Sequence, residues 1–296
     1  MAETIVVCGA TGRQGGAVAK SLLAGGWTVR AMSRRPDQEK AQRLSDQGAQ
    51  VVQADMDDPQ SLRSALEGAY GVYSVQNGIA SGFDREVAQG RNVADAAHSA
   101  GVRHLIYGSA GSGRAGTGVP SWEAKVPVEE HIRSLGLPYT ILRPLAFMEL
   151  MTDPSFYPAV GTWRIFPRLT GEDRQIPWLS VGDLGTIAAT AFARSDEFIG
   201  KELTLTADVR TLAECRSLYR EILGKDPRTF PLPIWLFDRF TRSDPTTMWR
   251  WLRAGKLEFD SEVTRAVAPS AKTVREWLVG IRDTKAASDG QEGGGS

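Results

Sequence analysis

Short apolar runs alternate with amphipathic stretches through the first half of the chain. Residues 4–8, 28–32, 49–54, 71–75, 104–108 and 139–142 have mostly Val, Ile, Leu or Tyr at their inner positions, with little strict alternation. That is the pattern of strands buried on both faces of a parallel sheet. Between them, 15–24, 37–47, 59–67, 84–100 and 121–135 read as helices, and Gly25, Gly48, Gly68, Gly101 and Gly136 stand where helices stop. Strand–helix alternation of this length predicts right-handed βαβ units and a doubly wound α/β fold. After about residue 150 the rhythm breaks at Pro154, Pro158, Gly161, Pro167 and Gly171. A strand (176–181), a helix (184–194), a strand (202–206) and a helix (212–223) follow, then a Pro-, Phe- and Trp-rich stretch (231–257) and a closing helix (271–282). The expected organisation is a domain over 1–150, a smaller α/β lobe over 151–284 packed on it, and a tail over 285–296. The tail lacks an apolar pattern and is expected to be disordered.

Composition narrows the classes. A chain of 296 residues with 42% hydrophobic and 24% charged residues is ordinary for a globular protein. Lys plus Arg and Asp plus Glu both number 35, so the formal net charge is zero. That balance supplies no long-range field for nucleic acid or an anionic membrane, and neither is expected as a partner. Two cysteines, Cys8 and Cys215, make no disulfide framework. With three histidines, His98, His104 and His131, no metal site is expected. The chain enters a strand at once, without the basic region and apolar run of a signal peptide. No apolar segment approaches the roughly 18 residues of a membrane span. The expected location is the cytoplasm, as a monomer or homodimer.

The chemistry begins at Gly9-Ala10-Thr11-Gly12-Arg13-Gln14-Gly15, which leaves the first strand and opens the first helix. Gly9 lets the chain turn sharply, Gly12 removes the Cβ where a pyrophosphate approaches, and Gly15 lets helix and sheet pack closely. The helix N-terminus presents free N–H groups and partial positive charge. In this context the spacing predicts a Rossmann-type dinucleotide site contacted by Gly9, Thr11, Gly12, Arg13, Gln14 and Gly15. About twenty residues on, where NAD-binding chains place a carboxylate, stand Arg34 and Arg35. Guanidinium binds a 2′-phosphate that a carboxylate would repel, so the expected cofactor is NADP(H). Asp55 and Met56, after the third strand, are placed to meet adenine.

These residues resemble the NmrA-like branch of the atypical short-chain dehydrogenase/reductases. The likeness is carried by 9–16, 30–36, 55–59, 101–104, 138–149 and 180–185, and extends from about residue 4 to 283. It implies that Gln76 and Asn77 lie by the pyrophosphate and ribose and that Lys125 reaches the nicotinamide ribose. It also implies that Phe147, Met148 and Glu149 wall the nicotinamide. The family often has Asn after that Glu, whereas this chain has Leu150.

Ordinary short-chain dehydrogenases use a Ser, a Tyr and a Lys, the last two four residues apart on one helix face. Here Ser109 stands near the serine position and Lys125 at the lysine, but Ser121 occupies the tyrosine position. A serine hydroxyl is a far poorer acid than a phenol. The NmrA-like branch commonly lacks the Tyr and includes both reductases and proteins that sense NADP(H) without turnover. The expected function is therefore an NADPH-dependent reductase of a small apolar carbonyl, quinone or conjugated compound, with Lys125 and Ser109 as catalytic residues. The alternative is a non-catalytic NADP(H) sensor acting through a protein partner. Phe156, Tyr157, Trp163, Phe166, Trp178, Trp235, Phe237, Trp249 and Trp251 cluster in the second lobe, as core or as the lining of a substrate cleft.

Overall fold

The computed structural model describes residues 2–154, 161–241, 243–255, 257 and 259–292. In chain order the strands are β1 (Thr4–Val7), β2 (Thr28–Ser33), β3 (Gln50–Gln53), β4 (Gly71–Ser74), β5 (His104–Gly108), β6 (Tyr139–Pro144), β7 (Ala146–Phe147), β8 (Ile176–Leu179), β9 (Glu202–Leu205) and β10 (Asp208–Arg210). The helices are α1 (Arg13–Ala24), α2 (Glu39–Asp46), α3 (Pro59–Leu66), α4 (Gly78–Ser81), α5 (Phe83–Ser99), α6 (Pro120–Glu123), α7 (Val126–Ser134), α8 (Phe166–Thr170), α9 (Val181–Ala193), α10 (Ser195–Phe198), α11 (Leu212–Leu223), α12 (Ile234–Thr241), α13 (Asp244–Arg253), α14 (Ser261–Val267) and α15 (Val274–Glu292).

The chain forms two compact units. The first comprises Met1–Pro144, Val181–Leu205 and Ala266–Ala268, and the second Leu145–Ser180, Thr206–Arg265 and Pro269–Ser296. This departs from the contiguous split at 150, because the chain returns to complete the first unit. There β9 pairs in parallel with β6, and α9 lies so close to α1 that a Cβ on Gly185 would stand 2.5 Å from the Ala17 carbonyl oxygen.

The first unit is built on a seven-stranded sheet in the order β3-β2-β1-β4-β5-β6-β9, parallel throughout. Val6, Val72, Leu105 and Ile141 from the sheet pack with Leu62, Leu66, Val93, Val128 and Ile132 from the helices. The strand order reverses direction between β1 and β4, and the crevice beyond their carboxyl ends is where such sheets bind ligands. The helix expected over 121–135 is two helices. Pro127, at the start of α7, lacks the N–H that would continue the ladder, so α6 ends first and Lys125 becomes the N-cap of α7.

The second unit has a three-stranded sheet, with β7 parallel and β10 antiparallel to β8. Its aromatics form its own core. Phe166 stacks on Trp249 at 4.3 Å, and Phe237 and Trp178 pack around them. Trp163 is buried and donates its indole N–H to the Met151 carbonyl at 3.1 Å, whereas Trp235 is exposed. Phe156 and Tyr157 lie outside the described residues. The closing helix runs through the stretch expected to be a disordered tail, as far as Glu292. Ala286 and Ala287 are strong helix formers, and Thr273 and Glu276 exchange hydrogen bonds at the helix start. Among the described residues no helix is long and apolar enough to cross a membrane, and no group of three His, Cys, Asp or Glu could hold a metal.

Candidate functional site

Gly9 turns the chain out of β1 at φ +62°, against Val75 beyond the end of β4. A Cβ on Gly15 would stand 2.3 Å from the Gly9 carbonyl oxygen, so only glycine lets α1 start this close to the strand. Gly12 is the N-cap, makes no side-chain cap, and the first turn of α1 carries no acidic residue. The early N–H groups of a helix have no intrahelical acceptor. Neither a cap nor a carboxylate offsets the positive end of this one. Gln14 Oε1 accepts from the Tyr73 hydroxyl at 3.5 Å, while Arg13 is exposed at the helix start. Cys8, just before the turn, is fully buried, and burial pushes its thiol up to about 12. It is not a nucleophile at neutral pH.

A recess of about 180 Å³ opens beside this turn. Gly9 and Thr11 form one edge, Met32, Ser33 and Arg34 another, and Ala54, Asp55 and Met56 a third, with Asn77, Ser81 and Gln89 closing it. Three βα connections thus bring together residues that sequence spacing had picked out separately. Of the two arginines, Arg34 lines the recess, whereas the Arg35 guanidinium lies against Gln38. Asp55 is held by its own loop: its N–H donates to Ser61 Oγ at 3.0 Å and its carboxylate accepts from the Asp57 N–H at 3.1 Å. Asn92 donates to the Met56 carbonyl at 3.0 Å. Below them, the guanidinium of Arg85 holds the Asp57 carboxyl below its ordinary range. A second recess, which shares Thr11 with the first and reaches Gly12, is bordered by Lys20, Lys40 and Arg43, which sequence reasoning had not singled out.

The expected catalytic residues sit differently. Lys125 is buried, with Nζ 2.5 Å from Glu86 Oε1 and donating to the Gln76 carbonyl at 3.3 Å. Tyr107 presents its ring face to the ammonium at 5.5 Å. Burial raises the Tyr107 phenol well above its ordinary range, helped by the nearby charges of Glu86 and Glu129. It stays a neutral phenol. Gln76 turns its amide to Ser74 Oγ at 2.9 Å. Ser109 donates to Glu129 Oε1 at 2.6 Å, and Glu129 also accepts from Arg143 and Arg133. That hydroxyl is committed to a buried ion-pair cluster. Phe147 ends β7, and Met148 and Glu149 open a 3-10 turn, all within the second unit.

Glu86 was missed, yet a signal for it exists. On α5 it shares the buried face with Gln89, Gly90 and Val93, at the spacing of a core stripe. A charged residue in such a stripe marks a buried partner.

The chain matches the NmrA-like family over residues 1–258. The NmrA-like family domain-containing oxidoreductase FrzB of Cladobotryum sp. is 30% identical over 262 residues, covering 79% of this chain and 78% of that protein. The chain belongs to the NmrA-like family. Among solved structures, NmrA, a negative transcriptional regulator, superposes with a TM-score of 0.75 at 20% identity over 98% of both chains. The Citrobacter sp. triphenylmethane reductase complexed with NADP(H) gives 0.74 at 22% identity, over 95% of this chain and 100% of the other. At these identities the structural likeness carries the fold.

Proposed function

We propose that this NmrA-like protein is an NADPH-dependent reductase that passes hydride to a small apolar carbonyl, quinone or conjugated compound. One observation carries the reading: the uncapped, acid-free start of α1 opens beside a recess whose facing edge bears Arg34. A pyrophosphate suits the first feature and a 2′-phosphate the second. The oxidoreductase name of FrzB and the NADP(H) held by triphenylmethane reductase support it. The glycine turn would cradle the pyrophosphate, Arg34 would bind the 2′-phosphate, and Asp55 and Met56 would border adenine. Lys125 would donate to the nicotinamide ribose. The dinucleotide, when bound, supplies the hydride. With Ser121 at the usual tyrosine position, the product proton would come from Lys125 or water.

The test is NADPH oxidation, followed by its absorbance, against a panel of quinones, enones, imines and aryl carbonyls. Turnover with some acceptor is expected, slowed at least tenfold by Lys125→Ala, which removes positioning and charge together. A second reading, an NADP(H) sensor, is favoured by the buried pairing of Lys125 with Glu86, which leaves the ammonium less available to a substrate. A sensor needs different affinities in two states of assembly. No turnover across the panel, together with a cofactor-dependent change in assembly or partner binding, would replace the first reading with the second.

A further inference from the structure

We propose that Glu86 is a positioning residue that keeps Lys125 as half of a neutral pair and so sets the preference between the reduced and oxidised dinucleotide. This rests on the reading that Lys125 serves the nicotinamide end of NADP(H).

The pair is closed off from solvent, the side chains being 7% and 2% exposed. There a lone charge would act on its surroundings far more strongly than in water. Two contacts, to Glu86 and to the Gln76 carbonyl, fix two of the three ammonium donors of Lys125 and leave one for a ligand. Glu86 Oε2 has no hydrogen-bond partner among the described residues. It lies directly under Gly78, where a Cβ would stand 2.0 Å from it. Any larger residue at 78 would have to displace that oxygen. Asn77 and Ser81, on either side of Gly78, line the recess, so one short stretch borders both the recess and the pair.

The consequence follows from charge. The oxidised nicotinamide ring is cationic and the reduced ring neutral. A lone ammonium beside it disfavours the oxidised form, a lone carboxylate favours it, and the pair does neither. Removing one partner therefore shifts the affinity ratio in a direction set by which charge remains.

Calorimetric titration of NADPH and NADP⁺ into the wild type, Glu86→Gln, Lys125→Met and the double variant tests this. Glu86→Gln is expected to weaken NADP⁺ relative to NADPH by about threefold or more. Lys125→Met should shift the ratio the other way, and the double variant should return to within about twofold of the wild type. A merely structural role would lower both affinities together and leave the ratio unchanged, and that result overturns the proposal. If Lys125→Met does not fold, Glu86→Gln and the double variant suffice, since only the first should move the ratio. A wild type that binds neither form overturns the cofactor reading and this proposal with it. A wild type that binds both, with unmoved ratios in the variants, overturns this proposal alone.

Discussion

A 2′-phosphate distinguishes the two nicotinamide dinucleotides, so a single well-placed cation is enough to choose between them. Arg34 is the side chain proposed for that role, and Arg34→Ala is expected to weaken NADPH binding about tenfold while leaving NADH nearly unchanged. Equal losses for both in a fluorescence titration would remove Arg34 from the phosphate. The sequence put Arg34 first and Arg35 beside it. In the fold Arg34 alone of the two lines the recess, because which of two adjacent residues faces it depends on the path of the chain after β2. His104 carries a different residue-scale effect. Its Nε2 meets Thr140 Oγ1 at 2.8 Å, and burial pushes its pKa down from 6.5 to about 4. Between those values the unfolded chain takes up a proton that the folded protein refuses. Stability is therefore full above pH 6.5 and falls as pH drops through that window. Denaturant unfolding should show a loss on the order of 1–2 kcal/mol from pH 7 to pH 5, flattened in His104→Gln. Glu202, held down to about 2 chiefly by Arg133, loses its contribution mainly below its ordinary 4.5, under the pH 7 to 5 range of that measurement. An undiminished acid slope in His104→Gln would assign it to another group.

At the scale of elements, local chemistry was legible wherever a backbone requirement forces a residue type. Gly9 and Gly15 could be placed from spacing alone because a turn and a close packing each need glycine. Gly224 ends α11 at φ +66°, and Thr211 with Glu214 caps its start, local signals that agree with the bounds expected for that helix. The break between α6 and α7 was legible in principle from Pro127 and was read through, since the apolar spacing continues across it. The crossing of α1 with α9 was not legible, because nothing local marks Gly185 as meeting a helix more than 150 residues earlier. It gives a direct test. Gly185→Val puts a branched side chain against the Ala17 carbonyl and is expected to cost about 2–3 kcal/mol. An unchanged unfolding midpoint would mean that the two helices separate without penalty.

For the whole molecule, the first half could be read in order because consecutive βα units are neighbours in a doubly wound sheet. The second half could not, because β9 and α9 leave the second unit to finish the first, and long-range pairing has no periodicity to detect. Since the candidate site is built from the first unit's turns, ligand binding should be felt as stability of the folded chain. A ligand that binds only the folded state stabilises it by RT ln(1 + [L]/Kd), about 2.7 kcal/mol at a hundredfold excess over Kd. For a protein of this size that corresponds to a rise in Tm of about 4 °C. NADPH at that excess is expected to produce such a rise by differential scanning fluorimetry, and NADH at the same concentration a smaller one. Gly12→Val places a side chain at the N-cap of α1, where the N–H groups would meet the pyrophosphate. The variant's own midpoint should fall somewhat, because a Cβ there would stand 3.1 Å from the Gly9 carbonyl oxygen, and the NADPH-dependent rise should be lost. If Gly12→Val is stabilised by NADPH as much as the parent, the dinucleotide does not lie across this turn. The recess beside Arg34 would then need another occupant.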